Sequence, residues 1–181
     1  MSKSNFVIKN IVISAAADGI GWCIASFFIE QGHTVFLSDI NQQKINEIKK
    51  HPLFNKRIFI ENINASDPGS VKKYFESLTN KLSSIDALIN NVGIAGPTGV
   101  MEDLSIDDWK QTIDINLNSH FYFTKFAIPL LKKNQGGSII NLSSTAGLFG
   151  FPLRTPYAAV SYTHLRAHET LRYLVCRLLL E

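Results

Sequence analysis

Two cysteines in 181 residues, Cys23 and Cys176, give neither a disulfide framework nor a metal-ligand spacing. Histidine is scattered (His33, His51, His120, His164, His168). No His-Glu-x-x-His occurs, and only His164 and His168 fall one helical turn apart. No metal site is expected. No long apolar run follows a basic start, so neither a signal peptide nor a membrane span is expected, and the cytoplasm is the default location. Basic charge is thin: 18 Lys and Arg against 15 Asp and Glu, a net +3. Lys49-Lys50, Lys72-Lys73 and Lys132-Lys133 are isolated pairs that read as helix surface, so no nucleic-acid face is expected. There is no repeat, low-complexity segment or linker. What remains is ordinary for one globular domain with a substantial core, 45% apolar and 18% charged.

What the chain does have is a regular alternation. NIVIS (Asn10 to Ser14) is a short β-branched run of the kind buried on both faces of a sheet, and it stops at a small-residue turn. IGWCIASFFIEQG follows with helical spacing and Gly32 as a stop. TVFLSD, RIFIEN, IDALIN and SIINLS read as four more strands. Between them lie an amphipathic NQQKINEIKK and a helix capped by Asp67 with Pro68 at its first position. A long helical stretch from about Ile106 to Lys133 precedes the fifth strand. Unbroken alternation predicts right-handed β-α-β crossovers and a Rossmann-like, doubly wound parallel α/β sheet.

In such a sheet the ligand lies beyond the carboxyl ends of the strands. After the first strand comes SAAADGIG, Ser14 to Gly21. Small residues there let the backbone approach a pyrophosphate, and the following helix points N–H groups and partial positive charge at it. Asp39 ends the second strand, where a carboxylate can accept from both ribose hydroxyls of NAD and would repel the 2′-phosphate of NADP. No arginine adjoins it, so NAD is favoured over NADP. Plainer readings stay open: a tight strand–helix turn, and Asp39 as the cap of the next helix.

Further along stand NNVG (Asn90 to Gly93), Asn116 in DINL, Ser143-Ser144, and Tyr157 thirteen residues after Ser144. Ser143-Ser144 could simply end a strand, and Tyr157 could be a surface residue. Together with the turn and Asp39, however, these markers follow one order as far as Ala159. On them the chain resembles the short-chain dehydrogenase/reductase family, with NNVGIAGPTG and SSTAGLFGFPLRTPYAA similar to its 3-oxoacyl-carrier-protein-reductase-like branch.

The resemblance implies an NAD-dependent oxidoreductase moving a hydride between the cofactor and a secondary alcohol or ketone. Ser14, Gly19, Ile20 and Gly21 would line the pyrophosphate, and Asp39 the adenosine ribose. Asn64 and Ala65 would flank the adenine. Asn91 would brace the sheet, with Gly93 on the nicotinamide side. Ser144 would hold the substrate oxygen and Tyr157 exchange its proton, a donor and a proton source for a developing alkoxide. Asn116 would kink its helix and position a relay water. The helix through Asn116 would pair with the tyrosine helix in a homodimer or homotetramer. If so, Phe121, Phe123, Phe126 and Ile128 would be partly exposed on the single chain.

Two departures stand out. The family's first turn glycine is Ala15, a strained choice if that position needs a positive φ. The lysine four residues after the tyrosine, which lowers the phenol's pKa and binds the nicotinamide ribose, is Ser161. From there the chain reads VSYTHLRAHET, three residues of index length (Leu171 to Tyr173), then LVCRLLLE. Both flanks back-translate into a sequencing-library adapter, beginning GTC TCT TAT ACA CAT at Val160. The expectation is a Rossmann domain over 1–159, incomplete on its C-terminal side, and a non-native tail over 160–181. On that expectation Ser161, His164, His168 and Cys176 carry no function.

Overall fold

The computed structural model describes residues 7–134 and 136–166. Five strands, β1 (Asn10–Ser14), β2 (Thr34–Asp39), β3 (Ile58–Asn62), β4 (Ala87–Asn90) and β5 (Ser138–Asn141), form one parallel sheet in the order β3-β2-β1-β4-β5. Helices α1 (Gly19–Glu30) and α2 (Gln42–Ile48) follow β1 and β2, and α3 (Pro68–Lys81) follows β3. α4 (Ile106–Ile113) runs through a π-helical turn (Asp114–Asn118) into α5 (Ser119–Lys132), and α6 is Thr155–Arg166. The parallel α/β architecture matches the sequence expectation.

β1 and β2 are buried along almost their whole length, which is why they read as continuous apolar runs. One face of the sheet packs Val12, Phe36 and Leu88 against α3 and α5 through Tyr74, Phe75, Leu78, Phe123 and Leu131. The other packs Ile13, Leu37 and Ile89 against α1 and α2 through Ala25, Ile29, Ile45 and Ile48. Caps act where the sequence places them. Asp67 accepts from the Gly69 and Ser70 N–H groups at 3.0 and 3.1 Å, with Pro68 at the start of α3.

Phe123 departs from its expected exposure. It is fully buried against Tyr74 and Phe75, while Phe121 is 58% exposed and Phe126 and Ile128 are half-buried. Two residues apart on a helix means nearly opposite faces, so α5 turns Phe123 to the sheet and Phe121 away. Residues 160–166, assigned above to an adapter-derived tail, continue α6. The rest of that tail, with His168 and Cys176, lies outside the described residues. Among the described residues no helix is long and apolar enough to cross a membrane, and no three His, Cys, Asp or Glu side chains are grouped to hold a metal.

Candidate active site

β1 and β4 are neighbours, but α1 leaves β1 towards β2 on one side of the sheet. The carboxyl ends of β1 and β4 therefore part around a crevice, the switch point at which ligands bind. The turn after β1 forms one wall. Ala15 takes φ +50° and Gly19 φ +54°. Gly21 is irreplaceable on packing grounds: a Cβ there would stand 2.4 Å from the Ala15 carbonyl and 2.6 Å from the Asn91 Nδ2. At Gly19 a Cβ would meet nothing within 4 Å, so the turn is open to the crevice at that point. Asn91 braces the turn by donating from Nδ2 to the Ala15 carbonyl at 2.8 Å. Ser14, expected at the pyrophosphate, is fully buried instead: its hydroxyl accepts from the Asn91 N–H at 3.1 Å and its carbonyl from the Asn91 Nδ2 at 3.3 Å, and it lines neither cavity described below.

At one end the crevice opens into a cavity of about 380 Å³ lined by Ala15, Asp39, Ile63, Asn64, Ala65 and the segment Val92–Ile94. Asp39 accepts from the Ala17 N–H through Oδ2 and from the Asn41 N–H through Oδ1, both at 2.9 Å. Each carboxylate oxygen keeps a second lone pair. Asp18, which the sequence reading passed over, caps α1 by accepting from the Gly19 N–H at 2.8 Å and lies 3.4 Å from Lys44. That backbone bond, then Lys44, lowers its pKa below the ordinary carboxylate value. The signal for finding it was an acidic residue directly before a helix that starts with glycine.

At the other end a cavity of about 250 Å³ is lined by Ile20, Asn91, Asn116, His120, Ser143, Tyr157 and Ser161. It shares Val92, Gly93 and Ile94 with the first, so the two meet along the loop after β4. Asn116 lies inside the π-helical turn, and its amide pairs with one residue: Oδ1 accepts from the Ile94 N–H at 2.7 Å and Nδ2 donates to the Ile94 carbonyl at 2.8 Å. Ser144 is not among the lining residues. Its hydroxyl caps the short 3-10 turn Thr145–Gly147, accepting from the Ala146 N–H at 3.2 Å, and the serine that lines the cavity is Ser143, which donates to the Ser161 carbonyl at 3.0 Å. Ser161 is itself buried and donates back to the Tyr157 carbonyl at 2.8 Å.

His120 is also buried here. A carbonyl only accepts, so its Nε2, 2.9 Å from the Val92 carbonyl, carries the proton. Nδ1 has no partner among the described residues. The ring stacks on His164 at 4.4 Å, whose Nε2 lies 2.8 Å from the Asn116 carbonyl. Burial first, then His164, pushes the His120 pKa from 6.5 down to about 4, and burial lowers that of His164 as well. Nothing in single-sequence periodicity singled out His120, because an i+4 neighbour of Asn116 reads equally as core.

The geometry therefore brings Ile20, Asp39, Asn64, Ala65, Asn91, Gly93, Asn116 and Tyr157 to the walls of one crevice, with Gly19 and Gly21 in the turn beside it. A long crevice, small-residue turn and helix N-terminus at its middle, and carboxylate at one end fit a dinucleotide.

Over residues 9–163 the chain matches the family described as short chain dehydrogenase, and it belongs to that family. It is 32% identical over 152 residues to the 3-oxoacyl-[acyl-carrier-protein] reductase FabG of Thermotoga maritima, covering 83% of this chain and 61% of that protein. Against the cyclohexanol dehydrogenase of an Acinetobacter species it is 31% identical over 164 residues, covering 88% and 64%. The fold aligns with serine dehydrogenase from Escherichia coli at a TM-score of 0.79 and 28% identity, covering 86% of this chain and 71% of that one. The chain spans about three fifths of the length of those two curated relatives. NADP-dependent and NADP-bound proteins are among the matches, so these relatives do not decide between NAD and NADP.

Proposed function

We propose that the gene behind this chain encodes an NAD-dependent dehydrogenase or reductase for a secondary alcohol or ketone. The observation that carries the reading is the meeting of two cavities at Val92–Ile94, with Asp39 at the far end of one and Tyr157 in the other. Bound there, the cofactor would supply or accept the hydride. The N-terminus of α1 and the turn around Gly19 would hold the pyrophosphate. The free lone pairs of Asp39 would take the ribose hydroxyls. Lys44 is shared between Asp18 and Glu47, at 3.4 and 3.2 Å, so this corner stays net negative and favours a plain ribose over a 2′-phosphate. Tyr157 would pass the proton, and a serine hydroxyl would hold the substrate oxygen. Ser144 is the serine chosen by motif spacing and Ser143 the one facing the cavity. Leu148, Phe149 and Phe151, all about half exposed or more, would give the substrate an apolar wall.

A second reading concerns these 181 residues as a molecule. Ser161 stands where the family carries lysine, and it is buried and bonded to the Tyr157 carbonyl. The chain itself is then a nucleotide-binding fragment without efficient turnover, its residues after Ala159 derived from adapter. Sequencing the source locus across the codon for Ala159 decides this. A lysine codon at 161 supports the enzyme with an artefactual tail; a genomic VSYTHLRAHET supports a binding protein instead. The cofactor reading is tested by fluorescence titration with NADH and NADPH. NADH binding at least about tenfold (1.4 kcal/mol) tighter is expected, and tighter NADPH binding would overturn the choice of NAD.

A further inference from the structure

The loop after β4, GIAGPTG at 93–99, starts with Gly93 and Ile94, which line both cavities, and Ala95, which lines the one holding Tyr157, and three separate contacts pin it. Asn116 takes both polar backbone atoms of Ile94. The next two residues are held by a different element: Arg154 Nη1 donates to the Ala95 carbonyl at 3.0 Å and to the Gly96 carbonyl at 3.1 Å. The Gly99 N–H then donates to the Leu153 carbonyl at 3.0 Å. Gly96 has φ +66°, and a Cβ there would stand 2.8 Å from the Thr112 Oγ1, so this peptide is pressed onto α4.

Arg154 immediately precedes α6, and its own carbonyl accepts the Ala158 N–H at 2.9 Å, closing the first turn of the helix that carries Tyr157. Leu153 before it sits at φ +62°. A left-handed non-glycine costs about 1–2 kcal/mol and persists only where its surroundings over-determine it. Charge-assisted bonds from one guanidinium to two successive carbonyls, beside the Gly99 N–H donating to the Leu153 carbonyl, are such surroundings. Of three residues in a row, 94 is thus tied to the helical turn of Asn116, and 95 and 96 to the residue that starts the helix of Tyr157.

We propose that Arg154 is a positioning residue: it clamps the loop after β4 to the start of α6 and so sets the gap through which a substrate reaches Tyr157. The substrate half of this inference rests on the function proposed above; the clamp does not. Replacing Arg154 frees this loop without touching the turn after β1 or the Asp39 end.

The test is hydrogen–deuterium exchange on the full chain, wild type against Arg154→Met and Arg154→Lys, with NADH titration of the same proteins. Arg154→Met should speed exchange in peptides spanning 94–100 by about tenfold, leave β1 and β4 unchanged, and keep NADH affinity within about twofold. Arg154→Lys, which keeps the charge and N–H donors but loses the planar guanidinium fork, should recover part of the protection. Unchanged exchange at 94–100, or a rise shared equally by β1 and β4, overturns the clamp. Equal exchange in the Lys and Met variants overturns it too, since the effect is then loss of packing. A wild type that fails to bind NADH defeats the proposed function, while the exchange data still judge the clamp.

Discussion

The carboxylate of Asp39, at the end of β2, accepts the N–H of Ala17 in the turn after β1 at 2.9 Å. One residue thus locks the turn after β1 in place while lining the larger of the two cavities that meet at Val92–Ile94. On the function proposed above, cofactor choice and the shape of the turn are tied together.

Asp39→Ala should therefore do two things. Losing the bonds to Ala17 and Asn41 should cost about 1–3 kcal/mol, read by urea denaturation. The preference for NADH over NADPH should shrink or reverse in fluorescence titration. A variant that melts like wild type and keeps its preference would remove Asp39 from both roles.

A methyl group is unfavourable at both Ala15 and Gly21, so removing the first and adding the second should move stability in opposite directions. Ala15 is at φ +50°, where a Cβ costs about 1–2 kcal/mol, partly offset by the greater unfolded-state freedom of glycine. Ala15→Gly should thus stabilise by about 0.5–1 kcal/mol. Gly21→Ala places a Cβ 2.4 Å from the Ala15 carbonyl and should cost at least about 2 kcal/mol. Denaturation midpoints of the two variants moving the same way would refute this account of the turn.

Stability should fall in mildly acidic solution. The folded pKa of His120 is pushed from 6.5 to about 4, so the unfolded chain binds the extra proton between those values. Stabilisation is complete above pH 6.5 and is lost as pH falls towards 4, by up to about 3 kcal/mol at the lower end. His164, shifted the same way, adds to it. Asp18, lowered below the ordinary carboxylate value, acts only in more acid solution. Urea titrations at pH 7 and pH 5 on wild type and His120→Leu should show a smaller drop in the variant; equal drops would exclude His120 as the source.

Ser161→Lys would place an amine one helical turn from Tyr157, on the cavity wall. Oxidation of simple secondary alcohols with NAD, measured as NADH formation, should rise by about tenfold or more over the unmodified chain. No increase in a variant that still binds NADH would mean that the serine is not what limits turnover.

Strands, helix caps and the order of the site markers were legible because each depends on local chemistry. Strands buried on both faces must be continuous apolar runs, Asp67-Pro68 can hardly be anything but a helix start, and a turn that needs Gly21 carries it. Even the strain at Ala15 followed from its place in the turn. The burial of Phe123 was missed because a run of aromatic residues on one helix does not reveal which face meets the sheet.

By itself, then, the sequence determined the parallel α/β class, the crevice at the strand ends and the family markers, since these follow from periodicity and from residue types at fixed spacing. Tertiary structure alone decided which serine faces the cavity, that Asn116 and Arg154 grip neighbouring peptides of one loop, and that His120 is neutral, with one nitrogen unpartnered among the described residues. Those depend on contacts between residues 18 to 59 positions apart, where side-chain direction and desolvation are set by packing and leave no local trace.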